Sequence, residues 1–151
     1  MQATLVLDDS YRKDKLLFVT YVEEVLQQGP VSALSALEAL DRMESESASK
    51  ARKGLDMALN DIVEATEKWP YQAVAEFDRT LQSKGGTTLS EMRVRRSRAY
   101  KALVRKGRID RESDYYLVKG VLEGASDSLV PELLITLRSM LVQYESKVSE
   151  A

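Results

Sequence analysis

The chain has 151 residues, 44% hydrophobic and 30% charged, with a net charge of −2, a balance that excludes a disordered or membrane-embedded chain and fits one domain over residues 1–151. It contains no Cys and no His, which excludes a disulfide framework, a zinc-thiolate site and every Ser-His-Asp or Cys-His arrangement. Catalytic chemistry would have to rest on carboxylates, Lys, Tyr or Ser/Thr, and no motif gathers these, so neither an enzyme nor a cofactor or metal is expected.

The N-terminal stretch Thr4–Leu7 is too short for a signal-peptide core, and no basic residues precede it. No apolar run approaches the ~20 residues of a membrane span. The expectation is a cytoplasmic protein with no membrane partner, in which residues 1–9 form a tail or a short strand. A first helix is expected from about Asp14 to Gln28, apolar on nearly every side and stopped by Gly29-Pro30. The second, from about Ser32 to Met43, carries the stripe Ala33, Ala36, Leu37, Leu40 and Met43. The third, from about Ser49 to Trp69, places Leu55, Ala58, Leu59, Ile62, Ala65, Thr66 and Trp69 on one face.

Pro70 opens a fourth helix with Ala73, Val74, Phe77 and Leu81, which stops at Gly85-Gly86. Thr88 and Glu91 have capping-box spacing, so a fifth helix is expected from Leu89 to about Lys106, with Gly107 behind it. Asp110 or Ser113 can cap a sixth helix holding Tyr115–Leu122. A seventh starts near Ser128, with Pro131 in its first turn and a stripe from Val130 through Leu133, Leu134, Leu137, Met140, Leu141 and Tyr144 to Val148. The fold class is therefore all-α: a compact helical bundle or orthogonal helical array of six to seven helices.

Charge is unevenly spread. From Lys84 to Arg111 there are ten Lys/Arg against two Asp/Glu, a net +8, while the residues before and after it are net acidic. Like charges one turn apart on a helix repel. Either acidic neighbours within the fold neutralise the segment, or an acidic partner does. On a helical wheel of about 100° per residue, Met92, Ala99 and Leu103 centre the apolar face of the fifth helix, widened by Tyr100 and Val104. Arg98, Lys101 and Arg105 cluster opposite, around Val94. Arg96 falls on the buried side, where an internal ion pair is the expected arrangement.

Ser97-Arg98-Ala99-Tyr100-Lys101-Ala102-Leu103-Val104-Arg105-Lys106-Gly107-Arg108-Ile109 resembles the recognition helix and following turn of winged helix-turn-helix proteins. Thr88–Met92 resembles the start of the helix before it. The resemblance covers about a fifth of the chain. It implies that Arg95, Arg96, Ser97, Arg98, Lys101 and Arg105 face phosphates or base edges, with Tyr115–Leu122 as wing strands.

Lys84-Gly85-Gly86-Thr87-Thr88 lacks phosphate-loop spacing and reads as a turn, or as a weak anion site at a helix N-terminus. The expected function is a non-catalytic interaction protein of accessory, inhibitor or immunity type. It would dock an acidic protein surface through Arg93, Arg95, Arg98, Lys101, Arg105, Lys106, Arg108 and Arg111, with Tyr115 or Tyr116 as an apolar anchor. Winged-helix-like DNA or RNA binding is the alternative. A homodimer in which the basic patch of one copy meets an acidic patch of another is a third arrangement.

Overall fold

The computed structural model describes residues 8–26 and 32–150. Among them are eight α-helices, one 3-10 turn and no strand, so the chain is all-α, with a helix more than the six to seven expected. The strand considered at Thr4–Leu7 lies outside the described residues. No helix among the described residues is long and apolar enough to cross a membrane. The chain divides into two compact units. One runs to Glu67 and includes Thr80–Thr87; the other comprises Lys68–Arg79 and the chain from Thr88.

The first unit holds α1 (Asp9–Glu24), α2 (Ser32–Glu46), α3 (Ala48–Ala65) and the end of α4 (Tyr71–Lys84). The first three helices pack pairwise on one another. Helix α1 begins five residues before the expected Asp14, because the Asp8 carboxylate accepts the Tyr11 N–H at 2.9 Å and caps it. Asp14 therefore sits inside the helix and is fully buried. A buried carboxylate must be paired. Asp14 accepts the Thr87 hydroxyl at 2.7 Å and ion-pairs with Arg52 at 2.9 Å. Helix α3 buries Leu55, Leu59, Ile62 and Val63, at the expected three-four spacing. It ends at Ala65, short of Trp69, where the buried Thr66 hydroxyl donates to the Ile62 carbonyl at 2.8 Å.

The second unit holds the start of α4, then α5 (Leu89–Arg96), α6 (Arg98–Lys106), α7 (Glu112–Gly124) and α8 (Pro131–Glu150), with a 3-10 turn at Ser126–Ser128. Tyr100, Leu103, Ile109, Val118, Val121, Leu137 and Met140 form its core. Helix α7 packs against α5, α6 and α8.

The single helix expected over Leu89–Lys106 is two helices. Ser97 takes an extended backbone (ψ 121°), and its hydroxyl oxygen accepts the Tyr100 N–H at 3.1 Å, ending α5 and capping α6. Serine competes for backbone groups in this way wherever it can turn a helix end. Ser97→Ala is expected to lower stability by about 1 kcal/mol, read as a fall in the urea midpoint at unchanged slope. Gly107 (φ 77°) closes α6 in the left-handed region as expected. Neither Asp110 nor Ser113 caps α7. Arg111 holds the cap position without a side-chain cap bond, and Asp110 is taken up by cations instead.

Candidate interaction surface

The helix break at Ser97 leaves the three cations expected on the outer face of the segment open. In α6, Tyr100 and Leu103 are buried in the core, while Arg98, Lys101 and Arg105 are exposed. These three are spaced three and four apart, so they share one face. Among the described residues none of them has an ion-pair partner. Ala99, expected at the centre of the apolar face, is exposed, because a wheel drawn through Ser97 runs across the break. Val94, expected among the solvent-facing cations, is half-buried against the core.

The other basic residues are accounted for within the fold. Arg93, expected to reach a partner, is 7% exposed and is set aside from the open face. Its charge acts on the buried carboxyl of Asp78. Arg95 is exposed and Arg96 half-buried, and both engage other groups of the protein. Lys84 donates to the Thr20 hydroxyl at 3.3 Å. Lys106 and Arg108 both pair with Asp110, and Arg111 pairs with Asp114 at 3.3 Å. The hydrogen bond from Lys106, with that from Arg108 and the two positive charges, favours ionised Asp110 and holds its carboxyl below the usual range.

The wing strands implied by the helix-turn-helix resemblance are not there. Residues 115–122 lie in α7. The weak anion site at the Thr88 helix start is also filled from within. Asp78 is 4% exposed and accepts the Leu89 N–H at 2.8 Å, the Ser90 N–H at 3.2 Å and the Ser90 hydroxyl. Thr88 and Glu91 form the expected capping box, and the Thr88 hydroxyl also donates to the Gly124 carbonyl at 2.8 Å. A protein carboxylate occupies the place an external anion would take.

Tyr115 and Tyr116, the expected anchors, join a surface row of rings. Tyr71 meets Tyr116 at 5.4 Å between centroids, Tyr116 meets Tyr115 at 5.2 Å, and Tyr115 stacks on Tyr144 at 5.2 Å. Tyr116 is 38% exposed. The Lys119 ammonium lies 5.0 Å from the Tyr71 centroid, within cation–π range. The Tyr71 hydroxyl donates to Glu123 and the Tyr115 hydroxyl to Glu145. The adjacent pair Tyr115-Tyr116 was legible in sequence. Tyr71 and Tyr144 were not, because no local pattern joins residues from three helices.

Those hydrogen bonds have a measurable consequence. The Glu123 bond pushes Tyr71 up to about 12, and the Glu145 bond does the same for Tyr115. Between the ordinary tyrosine value near 10 and about 12, the folded protein keeps protons that the unfolded chain has released. Stability from these groups is complete below pH 10 and is lost as pH rises through that window. The urea midpoint is expected to fall from about pH 10 upward, and Tyr71→Phe with Tyr115→Phe to flatten part of that fall. A fall of equal steepness in the double variant would remove these two hydroxyls from the account.

Compared with known proteins, the chain matches no family model, no curated protein and no solved structure at the level searched.

Proposed function

We propose that this chain is a non-catalytic helical interaction protein, of accessory, inhibitor or immunity type, that docks an acidic protein surface through the outer face of α6. The observation that carries the reading is the contrast within one segment. Lys106, Arg108 and Arg111 are paired with Asp110 and Asp114, whereas Arg98, Lys101 and Arg105 are exposed with no ion-pair partner among the described residues. Three like charges on successive turns repel one another, by a few tenths of a kcal/mol per pair. A facing row of carboxylates reverses the sign of that interaction.

The residues just beyond the patch favour protein over nucleic acid. Asp110, Glu112 and Asp114 lie around Arg111, the last cation of the segment, and a phosphate backbone continuing along the chain would meet them. The net charge of −2 adds a general repulsion. The test is fluorescence anisotropy with labelled poly-L-glutamate and with a DNA duplex, each at two salt concentrations, since phosphate contacts show a steep salt slope through counterion release. Poly-glutamate is expected to bind at low salt and the duplex to bind more weakly or not at all. Tighter binding to the duplex, or no poly-glutamate binding at low salt, overturns the proposal.

A further inference from the structure

Helix α8 carries two apolar faces, and the core uses only one of them. Leu137 and Met140 are buried in the second unit, with Leu133, Leu134, Leu141 and Tyr144 packed against that core. On the opposite side, Ile135 is 68% and Val142 60% exposed. They are seven residues apart and so lie in line, two turns along the helix. The same line continues through Ser139, Ser146 and Ser149, all exposed. The resulting spacing of four, three, four and three is that of a helix-pairing seam. None of these five positions is charged, in a chain that is 30% charged.

The charges beside the seam indicate what covers it. Arg138 and Glu145 are both exposed and sit along the same flank. Glu145 takes the Tyr115 hydroxyl on Oε2, which leaves Oε1 to meet a second donor. In an antiparallel pair of helices, residues on the same flank face each other; in a parallel pair they do not. Let a two-fold axis pass near Val142. Val142 then meets its own copy at the axis, Ile135 covers Ser149 of the second copy, and Ser139 lies near Ser146. In that one register Arg138 comes opposite Glu145, twice over. The serines let the two backbones approach closely. A parallel arrangement would instead set Arg138 against the uncharged Gln143 and Glu145 against the like-charged Glu150 of the other flank.

We propose that this chain forms a two-fold symmetric homodimer through the outward face of α8, with the helices antiparallel and Arg138 paired to Glu145 of the second copy. This is a self-complementary interface of the kind a two-fold axis requires. It uses a different surface from the α6 docking face and does not depend on that reading. One helix pair is at the small end of specific interfaces, so association is expected in the micromolar range. At each end Glu132 comes within about a turn of Glu150 of the second copy, a repulsion that Lys147 partly offsets.

Sedimentation equilibrium of the full chain, from about 5 to about 500 µM to bracket that range, is the test. Wild type is expected to shift from the 17.0 kDa monomer to twice that mass. Val142→Glu, at an exposed position, is expected to stay monomeric with unchanged helix content. Arg138→Glu leaves two carboxylates facing two carboxylates, and Glu145→Arg leaves two guanidinium groups facing two more. Each alone is expected to weaken self-association at least about tenfold, the equivalent of two close charge pairs changing sign. An equimolar mixture of the two is expected to restore a dimer, because both contacts are then of opposite sign. A wild type that remains monomeric throughout, a Val142→Glu variant that still dimerises, or a mixture no tighter than its components overturns the proposal. Dimerisation that is lost instead on reversing Arg98, Lys101 and Arg105 would place the interface on α6 and also overturn it.

Discussion

Reversing Arg98, Lys101 and Arg105 together to glutamate is expected to lower affinity for poly-L-glutamate about 100-fold at low salt while leaving far-UV circular dichroism unchanged. An exposed ion pair is worth about 0.2–1 kcal/mol. Reversal removes the attraction and puts repulsion in its place, so three positions together reach about 3 kcal/mol, or about two orders of magnitude. The fold is expected to survive because all three side chains are exposed on α6 and glutamate has nearly the helix propensity of arginine and lysine. The informative control is the equally large reversal at Lys106, Arg108 and Arg111. Those cations already share Asp110 and Asp114. Their reversal should cost no more than about tenfold, because part of their charge is spoken for and the freed carboxylates change the balance only locally. A drop as large as that of the α6 triple would mean that total charge, not the α6 face, governs binding.

Much of the helical framework was legible in the order of residues. Leu55, Leu59 and Ile62 fall on one face by spacing alone, and all three are buried. Thr88 and Glu91 announce a helix start through a purely local exchange of hydrogen bonds, and the capping box forms. Pro131, expected within the first turn of the last helix, opens it. Elements whose cause is nonlocal were harder to read. Asp14 looks like a helix start in sequence, yet it is a buried mid-helix carboxylate because Arg52 and Thr87 come from far along the chain to hold it.

The candidate surface shows the same divide. Its charge was plain in composition, as ten basic residues against two acidic ones in a short segment. Of those ten, the helical wheel already put Arg98, Lys101 and Arg105 outward, and they are exposed. What the spacing did not give was that Ser97 breaks the helix, that Asp110 serves Lys106 and Arg108 rather than capping α7, and that Arg93 is buried. A serine inside a regular apolar spacing carries no local mark that distinguishes a cap from an ordinary helical position. The outward line of Ile135 and Val142 is a middle case. The core stripe of the last helix skips both residues, so the sequence placed them outside without saying what they meet.

The start of α5 is held in place by Asp78, and Asp78→Ala is expected to lower stability by about 3–5 kcal/mol. The carboxylate accepts two backbone N–H groups at the start of α5 and the Ser90 hydroxyl, all in a buried setting. Alanine leaves those donors without an acceptor, at about 1–3 kcal/mol for each that water cannot reach. Burial raises the Asp78 carboxyl above its usual range, against the pull of the Ser90 and Leu89 hydrogen bonds and the Arg93 charge. The ionised form is therefore disfavoured in the fold. As pH falls through that raised value the folded protein takes up its proton before the unfolded chain does, so this residue adds no acid lability. Asp78→Asn keeps an oxygen for the two amides and offers its NH2 to Ser90, and it is expected to stay within about 1 kcal/mol of wild type. Space is restricted at the same point. A Cβ on Gly124 would lie 2.8 Å from the Ser90 hydroxyl oxygen and closer still to the Asp78 carboxylate, so Gly124→Ala is expected to destabilise as well. The pair of Asp78 variants separates position from charge in the docking surface. Asparagine, which keeps α5 anchored and α6 in its place on the core, should retain poly-glutamate binding. Alanine should lose binding in proportion to the fraction unfolded, and restoring the fold with a stabilising osmolyte should bring it back.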